Sequence, residues 1–271
     1  MSMETFYIAI AVLLGLAIGS FLNVCIDRLP SGGSLIFPLS HCDACKKQLS
    51  TWENIPIISY LWLRGRCSRC QAVIPRRVPW VELTSGITFA ILYWHYGFSA
   101  ELAVMASYFC LFLVIMVIDL EHKLILNRLI YPSALLALVI SIFIPNLNIA
   151  PGIVLTTTAP QISFAPGLIS SLVGGTAGLV LFLLIVILSR GGMGWGDVKM
   201  VALMGLVLGF PLVFVATFLA VVTGGLVATV LLMMKAKGHK QGIPFGPFLS
   251  LGAMATLVWG VEILDWYLGF F

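Results

Sequence analysis

Eight stretches of almost unbroken apolar sequence, separated by short polar intervals, run along the chain: residues 4–26, 81–97, 101–119, 125–144, 167–189, 198–210, 212–234 and 247–270. A helix needs about 20 apolar residues to cross about 30 Å of hydrocarbon, so the pattern predicts an all-α polytopic membrane protein with about eight transmembrane helices. The sixth stretch, "VKMVALMGLVLGF", is short, and Pro211 follows it. Proline has no amide hydrogen and clashes with a helix interior, which predicts two separate helices here; one long helix through both stretches is the alternative. The first stretch, "FYIAIAVLLGLAIGSFLNVCI", lacks the basic flank and small-residue cleavage site of a signal peptide and is expected to remain as a span.

Composition agrees with the pattern. Of 271 residues 60% are hydrophobic and 10% charged, and the mean hydropathy is +1.07; so few polar side chains cannot cover a soluble globule. Charge then orients the spans. Arg28 through Arg77 follow the first stretch, Lys123 and Arg128 the third, Arg190 and Lys199 the fifth, and Lys235, Lys237 and Lys240 the seventh. Basic residues accumulate in cytoplasmic loops, so these four loops are expected in the cytoplasm and both termini outside. The net charge of +4 follows from these loops and gives no reason to expect nucleic acid as a partner. Aromatic residues such as Trp94 and Trp259 read as interfacial anchors or packing residues.

The one substantial polar interval, residues 27–80, contains "CDAC" and "CSRC", that is Cys42, Cys45, Cys67 and Cys70. Each Cys-x-x-Cys turn bends two sulfurs toward a common point, and two such turns close a tetrahedron around one Zn²⁺. Four thiolates leave no open coordination position, so the zinc is expected to be structural, holding together a loop too small to bury much core. Disulfides or unligated thiols are the alternatives, the former disfavoured on a reducing face, and His41 is a candidate replacement for one sulfur. Cys25 and Cys110 lie in spans and are read as packing residues.

Two carboxylates stand at span ends: Asp119 closes the third stretch and Asp197 opens the sixth, behind Gly191, Gly192, Gly194 and Gly196. An ionisable group beside hydrocarbon is costly and points to function, and the predicted topology puts both at the cytoplasmic boundary, where they could meet. Paired carboxylates cannot both ionise cheaply; sharing a water, one acts as base while the other holds a proton, which is aspartic-protease chemistry. The nearby glycines would let a substrate backbone approach. The alternative is structural: Asp197 caps its helix and Asp119 pairs with Lys123. On these residues alone both readings stand.

At these positions the chain resembles the type IV prepilin peptidases, the GxGD-type aspartic proteases. The resemblance rests on "GSFLNVCIDRLP", the two cysteine turns, "WENIPIISYLWLRGRCSRC", "PRRVPWVELTSG", "IDLEHKLILNRL", "GMGWGDVKM" and "IPFGPFLSLGA"; the region around 145–166 carries no family feature. It implies an endopeptidase of the bacterial inner membrane that removes the leader of type IV prepilins or pseudopilins on the cytoplasmic side, after a glycine, with Asp119 and Asp197 as catalytic residues. It also implies N-methylation of the new N-terminal residue with S-adenosylmethionine, for which the residues carry no independent signature. On this reading residues 1–26 form the first transmembrane helix, 27–80 a cytoplasmic four-cysteine zinc-binding domain and 81–271 the transmembrane peptidase domain. Gly194, Gly196, Gly246 and Glu82 are candidate substrate-binding residues; Gly246 could equally form only a turn, and Glu82 could pair only with Arg76 or Arg77. Asp27, Asp43 and Glu53 are candidate docking groups for a basic leader. One departure is Leu126, where the family usually has proline. Three other readings are a presenilin-like intramembrane protease, an ion-coupled transporter with a carboxylate relay, and a methyltransferase only. The first usually carries Tyr before its first aspartate, where Ile118 stands here, and the second predicts carboxylates deep in the bilayer.

Overall fold

The structure is a computed structural model that describes residues 3–143, 167–189, 193–234 and 244–270. The region 145–166 and the sequence-predicted contributors Arg190, Gly191, Gly192, Lys235, Lys237 and Lys240 lie outside the described residues. The chain is helical: α1 (Met3–Arg28), α2 (Ile58–Trp62), α3 (Arg77–Tyr96), α4 (Ala100–His122), α5 (Asn127–Phe143), α6 (Leu168–Leu188), α7 (Trp195–Leu208), α8 (Leu212–Met233) and α9 (Gly246–Leu268), with a 3-10 turn at Thr51–Asn54. Helices stand at all eight apolar stretches. By length and composition α1, α4, α6, α8 and α9 are able to cross a membrane, while α5 is a shorter apolar helix. The break between α7 and α8 follows from local chemistry. Gly209 leaves the helix with φ +75°, a conformation that suits glycine, and the Phe210 amide is taken by the Ser170 carbonyl at 3.1 Å.

The chain divides into two compact units, Met1–Val114 and Ile115–Phe271. In the first, α1 and α3 pack antiparallel. Tyr7, Tyr93 and Phe98 cluster at one end, and at the other Asn23 donates to the Val78 carbonyl while Arg77 pairs with Asp27. Small residues let the backbones touch: a Cβ on Gly15 would lie 2.8 Å from Phe89 Cβ, and one on Gly19 would lie 2.7 Å from Glu82 Cα. Gly15 and Gly19 thus form the small-xxx-small seam by which apolar helices associate where no hydrophobic drive separates protein from lipid.

In the second unit the 14-residue α7 packs against α5, α6, α8 and α9. Its apolar side chains on several faces, among them Val198, Met200, Val201, Leu203 and Met204, are buried, as expected of a helix hydrophobic all round. Its contact with α6 is again glycine on glycine, Gly205 against Gly174 and Gly175. Gly252 of α9 meets the α8 backbone at Ala216 in the same way.

Candidate active site and cysteine centre

Asp119 lies in the last turn of α4 and is buried. The helix stops just beyond it because Lys123 turns to φ +54° and returns its amide to the Asp119 carbonyl at 2.9 Å, a left-handed C-terminal cap. The chain then reaches Leu126, whose carbonyl accepts the amides of Leu129 and Ile130 at 3.0 and 3.1 Å and so starts α5. The turn therefore forms with leucine at this position.

Asp197 occupies the first turn of α7, three residues after Gly194 at the N-cap, and is half-buried. Its carboxylate accepts the Gly194 amide, which satisfies one of the donors that a helix start leaves open. The N-cap of α7 is thus Gly194, and Asp197 stands in the first turn of the helix. This position coexists with a second relation: Asp119 lies near enough for its charge to act on Asp197, so the fold places the two carboxylates in one region. Gly246, at the start of α9, completes it. The Gly246 amide donates to the Asp119 carboxylate, and a Cβ at Gly246 would stand 2.5 Å from Asp119 Oδ2.

Around this pair lie contacts that sequence reasoning missed. A Cβ on Gly196 would come within 3.1 Å of Ile125 Cβ, so the α4–α5 loop rests on the first turn of α7. Lys199 Nζ donates to Asn127 Oδ1 at 3.0 Å and lies 5.8 Å from the centre of the Tyr131 ring, a hydrogen bond and a cation–π contact. These join α7 to the start of α5, and the available signal was a lone lysine two residues after Asp197.

The cysteine centre and Glu82 belong to the first unit. The Sγ atoms of Cys42, Cys45, Cys67 and Cys70 all lie within 4.8 Å of one another. With Zn–S bonds of about 2.3 Å a tetrahedron has edges of about 3.8 Å; the Cys42–Cys70 sulfur separation is 3.7 Å, and all four thiols are free of disulfides. The donor set therefore fits one zinc ion without His41, whose Nδ1 stands 3.0 Å from the Leu39 carbonyl. The two turns are copies of one another. The amides of Cys42 and Cys67 donate to the Lys47 and Ala72 carbonyls at 3.0 and 2.9 Å, and their carbonyls accept from Lys46 and Gln71 at 2.8 and 3.1 Å. Lys46 and Gln71 both adopt positive φ, +55° and +58°. The amides of Cys70 and Arg69 point to the Cys67 sulfur and favour its ligating thiolate.

Glu53 braces this loop. It takes the Ser68 hydroxyl and the Ser50 amide, which hold it below the usual carboxylate range. Asp27 pairs with Arg77, and Asp43 stands 4.0 Å from Lys46. Glu82 is buried; its carboxylate accepts the Ile57 amide at 2.8 Å and the Ser20 hydroxyl.

Two protein families match successive parts of the chain. The family model "Bacterial Peptidase A24 N-terminal domain" matches residues 13–96, and "Type IV leader peptidase family" matches residues 106–229. A protein of Stutzerimonas stutzeri named "Prepilin leader peptidase/N-methyltransferase" is 33% identical, covering 97% of this chain and 94% of its own length. Proteins of the same name from Bacillus subtilis and Pseudomonas aeruginosa are 30% and 29% identical, covering 96% and 97% of this chain and 98% and 94% of their own lengths. No solved structure matches the chain.

Proposed function

Because the chain belongs to the type IV leader peptidase family, we propose that Asp119 and Asp197 form the catalytic dyad of a membrane aspartic endopeptidase that removes the leader of prepilins or pseudopilins. The observation that carries this reading is that Asp119 lies near enough for its charge to act on Asp197, with Gly246 packed on the Asp119 carboxylate. A water held between them loses a proton to the ionised carboxylate as its oxygen adds to the scissile carbonyl. The protonated partner donates to the developing oxyanion. Collapse of the tetrahedral intermediate then breaks the C–N bond, and the departing amine takes a proton from the dyad. Gly194, where a Cβ would make only ordinary contact, leaves space for an extended substrate backbone beside the carboxylates, whereas Gly196 is packed on Ile125 and Gly246 on Asp119.

In this reading cleavage follows a glycine on the cytoplasmic side, and the helices at all eight apolar stretches span the membrane with both termini outside. The division is that of the sequence: residues 1–26 a first span, 27–80 a cytoplasmic zinc domain, 81–271 the peptidase domain. Zinc held by the four cysteines would supply structure, cross-linking two turns of a loop with little core. The relatives' name also supports methyl transfer: S-adenosylmethionine, when bound, would supply the methyl group to the new N-terminal amine, which would give up one proton as S-adenosylhomocysteine is released.

The test is cleavage of a prepilin in liposomes, with mass spectrometry of the product. Asp119→Asn and Asp197→Asn should each lower the rate by about 10²–10⁴-fold or more while the protein stays folded, and the wild-type product should gain one methyl group when S-adenosylmethionine is added. Undiminished cleavage by both variants would reduce the carboxylates to caps and surface charges.

A further inference from the structure

The short helix α2 carries an apolar stripe on its outer side. Ile58, Leu61 and Trp62 follow one another at helical i, i+3, i+4 spacing and are 62%, 68% and 86% exposed. Tyr60 turns the other way: a Cβ on Gly65 would lie 2.9 Å from its hydroxyl, so this side chain packs on the loop. A stripe of this kind facing water would be a liability in a polar segment.

Its depth is set by a hydrogen bond. The Ile57 amide, just before α2, is bonded at 2.8 Å to Glu82. Glu82 in turn accepts the Ser20 hydroxyl, and its Cα is the nearest atom to a Cβ built on Gly19. The start of α2 is therefore held at the level of Gly19 and Ser20 of α1. That level lies about 12 Å short of the C-terminal end of α1 at about 1.5 Å per residue, inside a 26-residue helix apolar enough to cross a membrane. The polar end of α1 is marked farther on, by the Asp27–Arg77 pair. Trp80, two residues before Glu82 on α3, is 65% exposed.

We propose that α2 is a membrane-interface anchor: Ile58, Leu61 and Trp62, together with Trp80, enter the boundary between lipid headgroups and acyl chains, and the occupant of this face is the phospholipid bilayer. Tryptophan suits that boundary because its ring is apolar and its N–H polar. Arg64, which follows at φ +50°, has a side chain long enough to reach the phosphate level. The anchor would seat the cysteine loop on the membrane surface, with Glu82 as the post to which it is tied. This inference does not depend on the catalytic assignment.

The experiment uses the full chain, zinc content checked, in phospholipid vesicles. Tryptophan emission of wild type and Trp62→Phe is compared with brominated acyl chains in the bilayer and with iodide in the aqueous phase. The emission that disappears on substitution should be quenched several-fold more by the brominated lipid than by iodide. In parallel, benzoylphenylalanine placed at position 61 is photolysed with a prepilin present and should form phospholipid adducts. Quenching of the Trp62 emission by iodide alone, or capture of the prepilin instead of lipid, overturns the proposal.

Discussion

A Cβ at Gly246 would stand 2.5 Å from Asp119 Oδ2, closer than two atoms can sit without one of them moving. Because the neighbouring atom belongs to a proposed catalytic carboxylate, Gly246→Ala should displace Asp119 and lower kcat for prepilin cleavage by about 10–100-fold, the scale of a displacement of about 1 Å. Gly194 offers a contrast, since its Cβ would make only ordinary contact, 3.5 Å from Asp197 Oδ2. Gly194→Ala should leave kcat nearly unchanged and act on KM, where the substrate backbone passes. Steady-state kinetics of both variants separates the two effects; a fall in kcat for Gly194→Ala, with Gly246→Ala normal, would reverse the roles. Asp119 and Asp197 were legible as candidates because a carboxylate at the end of an apolar run is unusual. The environment of Glu82 was not, since its partner Ile57 lies 25 residues earlier and contributes a backbone amide, which almost any residue type would supply.

Among the elements, the two cysteine turns and the α1–α3 pair invite different tests. The turns have little core, so their structure depends on the cross-link: Cys42→Ser or chelation should reduce zinc from one ion per chain toward none and make residues 31–76 sensitive to protease, with helix content nearly unchanged. Zinc analysis with limited proteolysis reads this directly. The α1–α3 seam fails by overpacking. Gly19→Val would press a side chain on the Glu82 backbone, where a Cβ alone already lies 2.7 Å away, and should cost about 1–3 kcal/mol, measured as a lowered unfolding midpoint in detergent. The cysteine spacing made the four-cysteine cluster readable. The repeat of the two turns was not, because the positive-φ positions are Lys46 and Gln71, residues that carry no glycine signal for that conformation.

For the whole molecule, the proposed topology makes one demand: residues 27–80 and the dyad face the same compartment. An impermeant thiol reagent added to intact cells should leave the four loop cysteines unmodified, and should reach them once the membrane is opened and zinc chelated. Modification in intact cells would invert the orientation. Positive charge gave the expected orientation of the loops; three of its lysines lie outside the described residues, and labelling tests it independently of them. Leu126 belongs at this scale too. Its departure from the family pattern raised a question of turn geometry, and the carbonyl of this leucine starts α5 as the loop requires.

What the sequence by itself determined is what local chemistry controls. Runs of apolar residues form helices because in lipid every backbone donor must be satisfied within its own segment; Pro211 and Gly209 separate α7 from α8; Cys-x-x-Cys turns bring sulfurs together over a few residues. Only the tertiary structure decided which of these pieces come near one another: Asp119 with Asp197, Gly246 on Asp119, Lys199 with Asn127, Glu82 with Ile57. Those pairings join residues far apart in the chain, and they depend on how closely helix backbones approach at glycines such as Gly19, Gly174 and Gly205, a property of paired surfaces that no single helix's pattern contains.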